Sequence, residues 1–175
     1  VAMVARLTVG KKKYADVEAQ MNEILIQAER LRAELTRGIE EDAAAFEKVM
    51  AAFKLPKDTP EQETARGQAI EAATLEAARV PLANAQKAVT VMALAERVVA
   101  LGNLNAISDG ASALAMARAA LTSAAYNVRI NVNGLHDRAA GDELLAQVAS
   151  LEERAAKLET EVGRSMQERG GLGAA

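Results

Sequence analysis

Apolar residues recur along this chain at the three-, four- and seven-residue spacings of α-helices. The pattern predicts a first helix over residues 1–9, ended by Gly10, and a long second helix over residues 16–53. Asp42 falls on the apolar stripe of the second helix, so we expect its carboxylate to point inward. The stripe consists of Met21, Leu25, Ala28, Leu35, Ile39, Phe46, Val49 and Phe53.

Capping residues and prolines divide the next part of the chain. Thr59, Pro60 and Gln62 form a capping sequence after a turn, which predicts that a third helix begins there. Pro81 lacks a backbone donor, so it is expected to kink or end that helix. A fourth segment then continues to residue 101.

The stretch over residues 102–133 is unusual because small or apolar residues occupy nearly every side of the helix that it predicts. Between residues 106 and 130 its charges are Asp109, Arg118 and Arg129. A helix without a polar face is expected to be surrounded by other helices. Polar groups flank it at both ends: Asn103, Asn105, Ser108, Asn127, Asn131 and Asn133. A buried helix with such ends is typical of the floor of a binding site.

A loop holding His136 follows, and a final amphipathic helix is expected to begin at Asp142 and fray into a flexible tail over residues 165–175. Residues 1–175 show neither a repeat nor an internal linker, which favours a single domain of about six helical segments. The predicted fold class is therefore all-α, a multihelical bundle around a buried, Ala-rich central helix.

Composition narrows the functional classes. Aromatic residues make up 2% of the 175 residues, which supports the all-α prediction, and the net charge of -3 gives no electrostatic case for nucleic-acid binding. Zero cysteines exclude a disulfide framework, cysteine-ligated zinc and thiol catalysis. His136 has no second histidine or clustered carboxylates near it in sequence, so no metal site is expected. Neither a membrane span nor a signal peptide is recognisable, so the cytoplasm is the expected location.

Two carboxylates are candidates for chemistry. An inward Asp42 is either a structural carboxylate paired with an arginine or a group that transfers protons in a site. Asp109 follows Ser108 at the start of the central helix, where its simplest role is to cap backbone donors. The functional alternative is a carboxylate aimed at an amide-like or guanidine-like edge of a ligand, and one residue can serve both roles.

Amides and lysines are the candidates for binding. Asn127 and Asn131 share one helix face, so their amides could bracket a heterocycle or could simply close backbone groups. The run Lys11, Lys12 and Lys13 is either a solvated connector or a landing site for anionic groups.

The two ends of the central helix cannot hold one small ring within a subunit. Asp109 and Asn131 lie 22 positions apart, which corresponds to roughly 33 Å along a helix. Either the two ends serve an extended ligand, or two antiparallel central helices bring opposite ends together across a dimer.

Five motifs occur in the same order as in a known family and are spread over most of the chain. They resemble the cyclodeaminase domain of formiminotransferase-cyclodeaminase and its free-standing bacterial relatives, some of which are methenyltetrahydrofolate cyclohydrolases. The motifs are LTVGKKKY at residues 7–14, DAAAF at 42–46, LPKDTPEQ at 55–62, GNLNAISD at 102–109 and NVRIN at 127–131. The family usually begins with a glycine-rich segment that this sequence does not contain, so we expect a chain that is short at its N-terminus, with part of its site missing.

The resemblance implies a homodimeric helical enzyme that binds tetrahydrofolate derivatives without a metal or a further cofactor. It implies conversion of formiminotetrahydrofolate to methenyltetrahydrofolate with release of ammonia; the alternatives are hydrolysis of the methenyl bridge to a formyl group and a non-catalytic interaction module. Asp42 and Asp109 are the implied catalytic residues. The implied substrate-binding residues are Lys11, Lys12, Lys13, Asn103, Asn105, Ser108, Asn127 and Asn131.

Overall fold

The computed structural model describes residues 1–172, and these form a bundle of five α-helices. The helices are α1 (Ala2–Thr8), α2 (Glu18–Phe53), α3 (Pro60–Leu101), α4 (Ile107–Val132) and α5 (Arg138–Gly170). Two short 3-10 turns, Lys12–Val17 and Leu104–Ala106, lead into α2 and α4. The predicted all-α bundle is confirmed. Within residues 1–172 no helix combines the length and hydropathy that crossing a membrane requires.

Helix α3 is the axis of the bundle, because α2, α4 and α5 all pack against it. Its second half supplies the centre of the main core, where Met92 and Val99 are fully buried against Leu121 of α4 and Ala155 of α5. A second cluster joins Val4 of α1 to α2 and α3. Helix α5 packs against both α3 and α4, whereas α2 packs mainly against α3.

Helix α4 is enclosed on one side only within the subunit. Leu121, Ala125 and Val128 are completely buried against α3 and α5. On the opposite side Met116, Tyr126 and Ile130 are 75%, 66% and 70% exposed. The expectation that the whole circumference of this helix is covered therefore fails for the isolated subunit, and an uncharged face is left in contact with solvent.

The second half of α2 buries small residues and exposes large ones, which reverses the predicted stripe there. The buried positions of the helix at seven-residue intervals are Ile24, Leu31, Gly38, Ala45 and Ala52. Ile39 and Phe46 are instead 72% and 63% exposed. The predicted stripe is correct at Met21, which is fully buried, and wrong from Ile39 onward. There the prediction took the largest apolar residues as core markers, whereas the close packing of α2 on α3 selects residues with little side chain.

Two of the predicted helix ends follow the capping rules, and the start of α5 does not lie where the sequence predicts it. Gly10 has a φ of 74°, the left-handed conformation expected where α1 ends. Thr59 Oγ1 accepts a hydrogen bond of 3.3 Å from the Gln62 backbone N–H, as a capping sequence requires. Helix α5 begins at Arg138 rather than at the predicted Asp142, because Asp137 Oδ1 accepts from the Ala140 N–H at 3.1 Å and acts as its cap.

Pro81 does not end α3, which continues through it as one helix of 42 residues. Proline has no N–H to donate to the carbonyl four residues earlier, so the Ala77 oxygen loses its usual partner. Asn131 Nδ2 of α4 donates to that oxygen at 3.2 Å. A side chain from the neighbouring helix thus replaces the missing hydrogen bond and allows the proline to stay inside the helix.

The connection between α3 and α4, residues 102–106, is bonded to three distant segments, and we call it the joint. The Asn103 backbone N–H donates to Thr8 Oγ1 of α1 at 2.9 Å, and the Leu104 N–H donates to Tyr14 Oη at 3.0 Å. Arg169 of α5 donates to the backbone oxygens of Val99 and Gly102. Residues 165–170, which were predicted to belong to a flexible tail, are therefore the last turns of α5. Residues 173–175 of that predicted tail lie outside the described part of the chain.

Candidate functional site

A groove runs between α2 and α4, and α3 forms its floor. Three adjoining cavities of about 400, 370 and 340 Å³ follow one another along it. The first and second cavities share Leu35 and Ala120, and the second and third share Asp42 and Asn127. Each volume lies in the range that small-molecule sites occupy, and together the cavities offer room for an extended ligand.

Asp42 borders the groove but is exposed, so the prediction of an inward carboxylate was wrong for the single subunit. Its side chain lies beside Ile39 and Phe46, which the reversed stripe of α2 turns away from α3. Within residues 1–172 Asp42 has no ion pair and no hydrogen-bond partner. The alternative that Asp42 is a structural carboxylate paired with an arginine is therefore wrong for the single subunit. Its carboxylate is free to meet a ligand at the boundary of two cavities.

Asn127 and Asn131 stand across the groove from Asp42, as their shared helix face predicts. Their amide groups use their donors on backbone oxygens: Asn127 Nδ2 donates to Ser123 O at 3.0 Å, and Asn131 Nδ2 donates to Asn127 O at 2.9 Å and to Ala77 O. The two alternatives, amides that bind a ligand and amides that close backbone groups, are therefore compatible. Asn131 uses both of its amide N–H groups on backbone oxygens and Asn127 uses one of its two, while neither Oδ1 accepts a hydrogen bond within residues 1–172.

Asp109 and Ser108 lie in the first turn of α4 and are exposed. The N-cap residue of α4 is Ala106, and neither side chain makes a capping hydrogen bond. The capping role expected for Asp109 is therefore wrong. Its carboxylate is placed near the positive end of the helix dipole and is open to solvent or to a second chain.

The other polar residues at this end of α4 divide into buried and exposed groups. Asn103 is buried, and its Nδ2 donates to Leu7 O at 2.9 Å while its Oδ1 accepts from the Asn105 N–H at 3.1 Å. Asn105 itself is exposed, as are the three lysines. Lys13 Nζ lies 5.6 Å from the centre of the Tyr14 ring. Asn103 thus has the contacts of a structural residue, whereas the lysines form an open basic surface.

Asp42 and Asp109 do not meet within one subunit. Asp42 shares a cavity with Asn127, and 18 positions along α4 separate Asn127 from Asp109, which is about 27 Å of helix. Asp42 belongs to the Asn131 end.

Sequence reasoning missed Asn84 and Gly38, which line the middle cavity together with Pro81. Asn84 lies in the interior of α3 with no motif around it, so the sequence did not single it out. A glycine and a proline inside two neighbouring helices were visible signals, because both residues weaken a helix and are retained where packing or a site needs them.

The fold and groove define a class of protein: an all-helical bundle with an extended, mainly apolar cleft in which a carboxylate and several amides converge. A family model described as formiminotransferase-cyclodeaminase matches residues 1–150, which include the whole groove. The chain belongs to this family.

Individual relatives agree with that assignment. The chain is 46% identical over 161 residues to a methenyltetrahydrofolate cyclohydrolase of Methylorubrum extorquens, and the match covers 88% of this chain and 77% of that protein. It is 31% identical over 150 residues to the formimidoyltransferase-cyclodeaminase of Sus scrofa, covering 86% of this chain but 28% of that longer protein. A crystal structure of formiminotetrahydrofolate cyclodeaminase from Thermotoga maritima has a TM-score of 0.84 at 28% identity, covering 95% of this chain and 79% of that one.

Proposed function

We propose that this chain is a folate one-carbon enzyme that hydrolyses the methenyl bridge of methenyltetrahydrofolate to give formyltetrahydrofolate. The observation that carries the choice is the 46% identity to a methenyltetrahydrofolate cyclohydrolase over 88% of the chain. The resemblance in sequence implies cyclodeamination first, with hydrolysis as the alternative. The order is reversed here because the relatives named for cyclodeamination are 27% to 31% identical.

The groove offers a base for this reaction. Water adds to the carbon of the bridge and loses one proton to a base; the bond from that carbon to the ring nitrogen then breaks, and the nitrogen takes the second proton. Asp42 is the carboxylate that borders the groove without an ion pair among the described residues, so we assign it the role of base. The apolar walls formed by Leu35, Ile39 and Phe46 limit the access of further water.

An absorbance assay with methenyltetrahydrofolate tests the proposal directly. The protein is mixed with methenyltetrahydrofolate, and the decay of methenyl absorbance is compared with the decay in buffer. Hydrolysis predicts faster decay with the protein, loss of that acceleration in Asp42→Asn, and full retention of it in the matched neighbour variant Glu41→Gln. Acceleration that survives in Asp42→Asn would remove Asp42 from the mechanism.

Cyclodeamination is the second candidate, and the structural similarity to the Thermotoga maritima cyclodeaminase supports it. In that reaction the second folate nitrogen attacks the formimino carbon, and ammonia leaves after gaining a proton. Incubation with formiminotetrahydrofolate distinguishes the two reactions, because cyclodeamination releases ammonia and increases methenyl absorbance. A chain that binds no folate and accelerates neither reaction would instead be the interaction module that the sequence left open.

We further propose that a homodimer completes the site, with the exposed face of α4 as its interface. That face carries no charge between Gly110 and Arg129, because Arg118 is turned toward Glu159 of α5. Small exposed residues on it are interrupted by three large ones, Met116, Tyr126 and Ile130. An uncharged, mostly apolar surface of this kind fits a second copy that runs in the opposite direction.

We place the two-fold axis of this homodimer at Ala119. An antiparallel pair of α4 helices would place Tyr126 opposite Ser112, and Ile130 opposite Ser108, because these positions are equally far from residue 119. Each bulky side chain then meets a hydroxymethyl group. The same pairing would place the Asp109 end of one α4 helix next to the Asn131 end of the other, so that the two polar ends of α4 lie close together across the interface.

The absence of cysteine makes this arrangement easy to test. Ala119→Cys should form a disulfide-linked dimer under mild oxidation, since residues on a two-fold axis lie next to their own copies. Ala149→Cys, which is exposed on α5, is the matched control and should remain uncross-linked. A monomeric protein in light scattering would contradict the homodimer, and a dimer that Ala119→Cys fails to cross-link would contradict the axis.

The lysines at residues 11–13 fit the anionic glutamate tail of a folate in this arrangement. They are exposed on the turn next to the joint, at the end of α4 that the antiparallel pair would bring toward the partner's groove. Replacing all three by glutamine should raise KM more for a polyglutamylated substrate than for a monoglutamate. Equal effects on both substrates would identify the lysines as a solvated connector.

A further inference from the structure

The carboxamide of Asn84 on α3 lies under α2, and its oxygen and nitrogen have different surroundings. Oδ1 is sealed from solvent and accepts no hydrogen bond within residues 1–172. One hydrogen of the Gly38 α-carbon points toward this oxygen, because a β-carbon in its place would lie 2.6 Å from Oδ1. A C–H group is a weak donor, which accommodates an oxygen better than the hydrogens of an amide nitrogen. Gly38 therefore fixes the oxygen as the end of the carboxamide that lies beneath α2.

The nitrogen is the end of Asn84 that is open to the groove. Asn84 lines the middle cavity, its Oδ1 cannot be reached from there, and its Nδ2 donates to no atom among residues 1–172. An amide nitrogen carries two N–H donors. Asn127 lines the same cavity and uses one of its two N–H donors on Ser123 O. The middle cavity thus offers amide donors to a ligand beside the carboxylate of Asp42.

Asp42 and Asn84 lie about one helical turn apart along the middle cavity. Gly38 lies over the carboxamide of Asn84, and Asp42 follows four residues later on α2, which is about 6 Å further along the helix. Two hydrogen bonds in series span roughly the same distance. A single oxygen atom of a ligand therefore fits between the carboxylate, which accepts a hydrogen bond, and the amide nitrogen, which donates one.

We propose that Asn84 is a catalytic residue whose Nδ2 donates a hydrogen bond to the oxygen that water adds to the methenyl bridge. The inference rests on the proposed hydrolysis, in which Asp42 takes the first proton of that water. When the bond from the bridge carbon to the ring nitrogen breaks, the remaining hydroxyl proton passes to that nitrogen and the carbon–oxygen double bond forms. Negative charge develops on the oxygen during this step, and a donor that is oriented in advance stabilises it. Gly38 provides this orientation because it holds Oδ1 away from the cavity.

Asn84→Ala removes the amide without introducing a charge. In the absorbance assay with methenyltetrahydrofolate, kcat should fall at least about tenfold while KM stays within about threefold, because the hydrogen bond strengthens in the transition state. The Tm should not fall, since the variant also removes an unpaired buried oxygen. Asn22→Ala, at an exposed asparagine of α2, is the matched control and should change none of these quantities.

Two other roles of the amide predict different results for Asn84→Ala. An amide that serves only the packing of α2 on α3 would lower the Tm and leave kcat unchanged. An amide that only binds the substrate would raise KM and leave kcat unchanged. Either result would overturn the proposal.

Gly38→Ala tests the orientation of the amide while keeping the amide in the protein. The added methyl group would lie 2.6 Å from Oδ1, so the carboxamide, a movable end of a side chain, must turn or shift. We expect a folded protein whose kcat is at least about threefold lower. In the Asn84→Ala background the same methyl group meets no carboxamide and should have no further effect. Equal losses in both backgrounds would overturn the orienting role of Gly38.

A pair of ligands tests the contact to the oxygen without turnover. Folate and 10-formylfolate differ in the formyl group, whose oxygen corresponds to the one that water supplies. In calorimetry Asn84→Ala should weaken the Kd of 10-formylfolate about fivefold and leave that of folate within about twofold. Equal weakening of both ligands, or of neither, would overturn the proposal. Wild-type protein that does not accelerate hydrolysis would refute the proposed function itself, whereas hydrolysis that is insensitive to Asn84 would refute only this inference.

Discussion

The two ends of α4 both carry asparagines, but their side-chain amides differ in how many of their atoms are hydrogen-bonded to the protein. At the N-terminal end Asn103 is buried, and its Nδ2, Oδ1 and backbone N–H are all bonded to protein atoms. At the C-terminal end Asn131 uses its nitrogen on two backbone oxygens and leaves its Oδ1 at a cavity that Asp42 also borders. The first end is structurally complete, and the second has acceptors available for a ligand.

This difference shows that the satisfaction of individual atoms, and not the residue type, separates a structural amide from a binding amide. Both ends have the same density of polar residues in the sequence. Only the structure reveals that one end has used its hydrogen-bonding groups on the fold itself. Substitutions at the two ends should therefore affect different quantities, activity at one end and stability at the other.

The largest effect is expected for Asp42→Asn, because the amide cannot accept a proton from the attacking water. Removing a general base typically costs about 100-fold or more in rate. The kcat for hydrolysis of methenyltetrahydrofolate should fall by that factor, while the Tm changes little because Asp42 is exposed and has no ion pair among residues 1–172. A comparable loss in Asp109→Asn would place the catalytic carboxylate at the other end of α4.

Asn103→Leu should produce the largest loss of stability. The substitution removes the two hydrogen bonds of the side chain and leaves the Leu7 oxygen and the Asn105 N–H unpaired, which corresponds to about 2–4 kcal/mol of unfolding free energy. Urea denaturation measures this loss, and the activity of the folded fraction should stay within twofold of wild type. Asn105→Ala is the control, and a loss above about 0.5 kcal/mol there would contradict the division between buried and exposed amides.

Asn131→Leu should have an intermediate effect that depends on Pro81. The variant leaves the Ala77 oxygen without a donor and is expected to cost about 1–2 kcal/mol. In a Pro81→Ala background the restored backbone N–H bonds that oxygen, so Asn131→Leu should cost about 1 kcal/mol less. Additive costs in the double-mutant cycle would show that the two residues are not coupled.

The smallest effect on stability is expected at the loop that follows α4. Glu71 accepts the backbone N–H groups of Asp137 and His136, and these hydrogen bonds lower the pKa of its carboxyl below the ordinary value of 4.5. The stabilising contribution of Glu71 is therefore present above pH 4.5 and is lost as the pH falls through the lowered pKa. The stability difference between wild type and Glu71→Gln should be constant at neutral pH and shrink in acid; a constant difference at all pH values would contradict this role.

Much of the fold was predictable because it depends on local signals. The left-handed Gly10 and the capping sequence at Thr59 mark helix ends that the structure confirms. The continuity of α3 through Pro81 was not predictable, because the replacement donor comes from Asn131, 50 positions away in the sequence. Local rules describe what a residue does to its own helix, and they contain no information about a donor on another one.

The site was only partly predictable for a related reason. The motifs around Asp42 and Asn131 led to the groove, and the shared face of Asn127 and Asn131 was correctly inferred. Asp42 was wrongly expected to point inward, because the side of α2 that faces α3 was misjudged. Asn84 was missed because its significance lies in an unpaired oxygen beneath Gly38, a relation between two helices that neither helix shows alone.

The joint between α3 and α4 also has a consequence for the order of folding. Its hydrogen bonds connect residues 67 to 96 positions apart, whereas most contacts of a helical hairpin are closer in sequence. Such bonds form only after the long helices have docked, because closing large loops is entropically costly. Substitutions at Asn103, Tyr14 or Arg169 should therefore accelerate unfolding and leave the rate of refolding nearly unchanged, which makes the joint the last part of the molecule to form and the first to open.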